Sequence, residues 1–120
     1  MQLDEFHTYC LSLPGAEETT PFGPDVVVYK VGGKMFALAS PDDFPHRVNL
    51  KCDPERAMDL RDRHPEITPG YHMNKRHWIS VAAGPQVTER LLEELVENAY
   101  LLVLDKLSRA ERSQVIDANQ

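Results

Sequence analysis

Arg47, Lys51, Lys75 and Arg76 fall between positions 46 and 77, the one net-positive stretch of the chain. Tyr71 and Trp78 stand beside the Lys75–Arg76 pair, and Asn49 and Asn74 add amides. Cations interleaved with aromatics and amides suit the holding of phosphate and the stacking of a base. The stretch has seven Lys and Arg against five Asp and Glu, and it holds four of the five histidines. Residues 1–45 carry two cations against seven acids, and residues 78–120 carry four against seven. The net charge of −6 over 120 residues argues against a strong nucleic-acid binder. Its uneven distribution leaves room for a weak, salt-sensitive one. A plainer reading of the same residues makes Arg47 and Lys51 solvated strand positions and Trp78 a core residue.

Other chemistries find less support. The closest histidine pair, His72 and His77, is five apart and lacks the tight spacing of zinc ligands, so no metal is expected. Cys10 lies on the apolar stripe of the first helix and Cys52 shares a strand face with Val48 and Leu50, so both read as core thiols rather than nucleophiles. Glu17/Glu18 and Asp42/Asp43 are adjacent loop acids, which are ordinarily solvated. Phosphate loops, dinucleotide fingerprints and nucleophile elbows are missing from the sequence. The expectation is a non-enzymatic chain without cofactor. No apolar run approaches the ~18 residues that would span a bilayer. MQLDEFHTYC has no basic start, so no signal peptide is expected. With two cysteines and no framework spacing, these features predict a cytoplasmic protein.

The elements that must position these residues follow from periodicity. Leu3, Phe6, Tyr9/Cys10 and Leu13 predict a helix over 3–13, stopped by Pro14-Gly15. Glu17 to Pro24 reads as turn. Asp25–Lys30 and Lys34–Ala39 read as a hairpin around Gly32-Gly33. A regular register pairs Val31 with Lys34, Tyr29 with Phe36 and Val27 with Leu38, with Tyr29, Phe36 and Leu38 facing the core. It sends Val28, Lys30, Met35 and Ala37 to the other face. Pro41–Pro45 reads as a loop and His46–Cys52 alternates as a strand. Asp53-Pro54-Glu55 starts a helix that runs to Arg63. A mixed segment spans Ile67–Lys75, a strand His77–Ala82, a break Gly84-Pro85 and a long helix Val87–Leu107. Ser108 and Glu111 form a capping box for a short last helix, after which the tail frays.

The expected order is α-β-β-β-α-β-β-α in one domain over 1–120, with the core about 2–107 and the short helix and tail at 108–120. The fold class is α+β, a two-layer sandwich with helices on one face of a twisted antiparallel sheet. The long helix exposes Glu89, Glu93, Glu94 and Glu97 and repels phosphate, so nucleic acid would meet the sheet or its loops.

Several motifs carry a resemblance. Leu13-Pro14-Gly15-Ala16-Glu17-Glu18, Pro21-Phe22-Gly23 and Val31-Gly32-Gly33-Lys34-Met35-Phe36 resemble the MmcQ/YjbR-like family. So do Val48-Asn49-Leu50-Lys51-Cys52-Asp53-Pro54-Glu55 and Pro69-Gly70-Tyr71-His72-Met73-Asn74-Lys75-Arg76-His77-Trp78. The match runs from the first helix to about Leu107. It departs near Ala99-Tyr100-Leu101, where the family pattern has Ser before the Tyr and a polar residue after it. The resemblance implies an α+β fold similar to secretion chaperones and frataxin-like proteins. It also implies DNA binding through a double wing of the sheet and its loops. Carried onto matching positions, this implies a nucleic-acid site at Lys34, Lys51, Asn74, Lys75, Arg76 and Trp78. The charge reading adds Arg47. The alternative is a small anionic ligand or peptide on the open sheet face and the Tyr71–Trp78 loop. Val28, Met35 and Ala37 on that face suggest a monomer or weak homodimer.

Overall fold

Helix α1 (Leu3–Ser12) buries Phe6 and Cys10, whose four-residue spacing puts both on one side. The chain then turns through Gly15 and enters β1 (Ala16–Thr19). Strands β2 (Val27–Val31) and β3 (Lys34–Ala39) form the hairpin around Gly32-Gly33, and β4 (Val48–Lys51) follows. Helix α2 (Pro54–Arg63) separates β4 from β5 (Ile67–Pro69) and β6 (Trp78–Val81). Helices α3 (Glu89–Lys106) and α4 (Arg109–Asp117) end the chain. This computed structural model describes residues 3–40, 47–70, 74–82 and 87–117. The Pro41–Pro45 loop, the Gly84-Pro85 break, the frayed tail and residues His46, Tyr71 and His72 lie outside the described residues.

The six strands form one antiparallel sheet in the order β1-β2-β3-β4-β6-β5. The helices cover one face of it, as the α+β reading expects. The main core lies between these layers and includes Phe6, Tyr29, Phe36, Leu50, Ile79, Leu95, Val96 and Val103. The helix starts were legible. Asp53 caps α2 by accepting from the Glu55 and Arg56 amides at 3.1 and 3.3 Å, an arrangement worth about 1 kcal/mol. Ser108 and Glu111 close the capping box in both directions, at 3.1 and 2.9 Å.

Two expectations are corrected. The first is β1: Ala16–Thr19 pairs with β2, Glu18 opposite Tyr29 and Thr19 opposite Val28, where the sequence reads as turn. AEET has almost no β-propensity, and its pairing is set by the exposed edge of β2. The expected strand count before α2 therefore rises by one. The second is the hairpin register. Val31 does oppose Lys34, but Tyr29 opposes Ala37 and Val27 opposes Ala39. The register shifts between Tyr29 and Lys30, leaving Phe36 as an extra residue. Phe36 and Ala37 both join the main core. Leu38 is pushed to the opposite face, where it packs with Val28 and Trp78 in a second cluster flanked by Val26 and Met35. A one-residue bulge inverts the alternation of everything after it.

Candidate anion-binding site

Lys51 is the last residue of β4 and lies directly opposite Trp78 of β6. The two strands stay joined beyond this pair, since the Cys52 amide donates to the His77 carbonyl at 2.8 Å. That bond brings the turn before β6, Asn74-Lys75-Arg76, to the same end of the sheet. The turn is built by Asn74: its Oδ1 accepts from the Arg76 amide at 3.0 Å, and its carbonyl accepts from the His77 amide at 3.2 Å. Asn74, Lys75 and Arg76 are all exposed. Lys34, exposed at the start of β3, reaches this end because β3 runs antiparallel to β4.

Lys51 is held below the ordinary lysine range, first by burial and then by the charges of Lys106 and Lys34. Among the described residues none of these three lysines has an ion-pair partner. Lys34 also lies within electrostatic reach of the fully exposed Glu111. Glu111 offsets part of the charge of Lys34, and the repulsion that remains around Lys51 is relieved when an anion arrives.

The structure thus brings together Lys34, Lys51, Asn74, Lys75 and Arg76, and adds Lys106. It separates Arg47, which precedes Val48 at the other end of β4. Four residues along a strand amount to roughly 13 Å. Trp78 is at the expected end but is only 6% exposed and packs with Val28 and Leu38. Its ring is therefore a packing element and not a stacking platform. Asn49 is likewise engaged, accepting from the Ser80 hydroxyl at 2.6 Å. Lys106 escaped the sequence reading because a lysine in the last turn of a helix already has an explanation, the helix dipole. The signal available was its place one turn beyond Leu102, on a helix packed over β3, which begins with Lys34, and β4, which ends with Lys51.

Other groups with chemical potential have structural duties. Burial pushes the Cys10 thiol far up, and it raises that of Cys52 against the opposing effect of Arg56 and Arg61. His7 Nδ1 meets the Tyr29 hydroxyl at 3.0 Å, and its Nε2 lies 3.7 Å from Glu18. This gives a partner to a phenol whose ring is fully buried. The Tyr100 hydroxyl, at the point where the chain departs from the resemblance, donates to the Pro14 carbonyl and ties α3 to the end of α1. Among the described residues, no helix is long and apolar enough to cross a membrane.

Comparison with known proteins bears on this arrangement. The chain is 43% identical over 105 residues to the uncharacterized protein YbdF of Escherichia coli O157:H7, covering 88% of this chain and 86% of that one. It is 28% identical over 116 residues to the uncharacterized protein YjbR of Escherichia coli K12, covering 97% and 98%. In three dimensions it is similar to the crystal structure of Deinococcus radiodurans DR2400, with domain DUF419, at a TM-score of 0.87 and 42% identity. That superposition covers 95% of this chain and 87% of the other. A Pseudomonas syringae protein matches at a TM-score of 0.72 and 26% identity, over 86% of this chain and 99% of its own. The motifs that place Lys34 and Lys51 lie inside residues 11–102, the span matched by the model of the family described as YjbR, and the chain belongs to that family.

Proposed function

We propose that the chain is a non-enzymatic binding module that holds an anionic partner at the lysine end of its sheet, and that this partner is the phosphate backbone of nucleic acid. The observation that carries the reading is the cluster around Lys51, which feels the charges of both Lys34 and Lys106, three cations without ion-pair partners among the described residues. Lys75 and Arg76 extend the cluster along the adjoining turn. Such a surface contacts phosphate and leaves base edges unread, because the nearby Trp78 and Asn49 are already occupied. The acids of α3 limit the contact to this end. Glu89, Glu94 and Glu97 are exposed, and Arg56 neutralises Glu94 at 2.7 Å. Weak, sequence-tolerant binding follows. Two buried free thiols favour a reducing, cytoplasmic setting.

Fluorescence anisotropy with a labelled 20-base-pair duplex tests this. Near physiological salt the chain is expected to bind with Kd between about 1 and 100 µM, as non-specific binders do, and at low salt more tightly. Affinity should fall steeply with added salt and be nearly equal for duplexes of unrelated sequence. A duplex left free at about 100 µM protein in low salt overturns the reading.

A further inference from the structure

A second feature lies beneath the lysine cluster. Between the end of β4, the start of α2 and the second half of α3 is a cavity of about 180 Å³. Its walls include Ile79, Leu95 and Leu102. An apolar cavity of roughly 150 Å³ accepts benzene, so this one has room for a ring-sized apolar body.

Its polar lining is almost entirely committed. Asp53 is the cap of α2, Arg56 is paired with Glu94 at 2.7 Å, and Asp105 takes Arg112 at 3.4 Å. Lys51 and Asn98 also line the cavity, and neither has a hydrogen-bond or ion-pair partner among the described residues. Lys51 supplies a charge in want of an anion, and Asn98 supplies a neutral donor and acceptor. Lys106 adds to the positive field around Lys51.

We propose that this cavity is a binding site for a small amphipathic anion, a ring-sized apolar group bearing one phosphate or carboxylate. The apolar group sits against Ile79, Leu95 and Leu102, and the anionic head meets Lys51 and Asn98. The site is separate from the sheet-end surface proposed for nucleic acid, although Lys51 borders both. A nucleic-acid backbone has no part that fits an apolar cavity of this size.

Phenyl phosphate is a suitable probe, with benzoate as the carboxylate arm and phenol and inorganic phosphate as the two halves of the chemistry. Titration of the full chain by amide NMR is expected to give saturable shifts centred on Ile79, Leu95 and Leu102. Phenyl phosphate or benzoate should bind about ten-fold tighter than either phenol or inorganic phosphate. Lys51→Met keeps an apolar stem and removes the charge. It should cost about ten-fold for the anions and leave phenol unchanged. Leu102→Trp fills the cavity and should abolish binding of all the aromatic probes while leaving duplex affinity as it was. This separates failure of the cavity from failure of the nucleic-acid surface, and a circular dichroism melt confirms that each variant folds. Absence of saturable shifts, equal affinity for inorganic phosphate and phenyl phosphate, or undiminished binding in a folded Leu102→Trp protein would overturn the proposal.

Discussion

Phe36→Ala is expected to lower the unfolding free energy by about 3–5 kcal/mol, the usual cost of emptying a large aromatic site in a core. Phe36 is fully buried. Its ring meets Tyr100 edge-on at 5.7 Å and Tyr29 at 6.5 Å, and Tyr29 in turn meets Phe6 edge-on at 5.7 Å. These four rings join α1, the central hairpin and α3. Removal of the Phe36 ring leaves a void bordered by two of the others, Tyr29 and Tyr100, and Tyr29 cannot relax into it without giving up its edge-to-face contact with Phe6. A domain of this size is stabilised by about 5–15 kcal/mol in total, so the variant should be close to the folding limit. Urea unfolding should show a large fall in the midpoint at unchanged slope. Leu38→Ala is the comparison. Leu38 belongs to the smaller cluster, where few side chains surround it, and should cost less than Phe36→Ala. The reverse ranking would mean that the bulge and the face assignments derived from it are wrong.

Gly32→Val is expected to cost about 3 kcal/mol or more. Its φ of +59° is one that a β-branched residue adopts only under strain, about 1–2 kcal/mol. Packing adds a second cost. A Cβ at this position would lie 2.6 and 2.8 Å from the two terminal carbons of Leu107, itself buried at the end of α3. Overpacking of this kind typically costs a further 1–3 kcal/mol, roughly. Gly33→Val separates the two effects. Gly33 has φ +79°, yet a Cβ there meets nothing within 4 Å. That variant should show the backbone strain alone, about 1–2 kcal/mol. Equal losses for the two variants by thermal melting would show that Leu107 does not press against the hairpin.

Much of this architecture was legible from residue order. Asp53-Pro54-Glu55 and Ser108…Glu111 are local signals whose partners lie within four residues, and local signals survive into the fold. The bulge at Phe36 was not legible. A regular register would have put Leu38 in the core, and hydrophobicity does not distinguish it from Ala37, since both are apolar. The choice is made by volume. The space under α3 takes Phe36 and the small Ala37 together, and Leu38 fills the gap beside Val28 and Trp78. β1 was missed for a related reason, because the partner strand and not the AEET sequence determines its pairing.

The candidate site shows the same division. Lys34, Lys51, Lys75 and Arg76 were picked out by type and do gather at one end of the sheet. Arg47 shares the strand face of Lys51 by alternation, but β4 carries it to the far end. Trp78 carries a binding residue's signature and a core residue's burial, and only packing across three strands decides between them. Lys106 lies 55 positions after Lys51 in sequence, so its place in the cluster depends on how α3 crosses the sheet.

The central claim, that unpaired lysines at the sheet end bind a phosphate backbone, is tested most directly by the salt dependence of duplex affinity in two proteins. One is the native chain, and the other carries Lys34→Gln, Lys51→Gln and Lys106→Gln together. If each lysine neutralises one phosphate, each contributes about −0.9 to the slope of log K against log salt concentration. The triple variant should then bind more weakly at low salt, with a slope shallower by roughly 2.7. An unchanged slope and affinity in a folded triple variant would contradict the account.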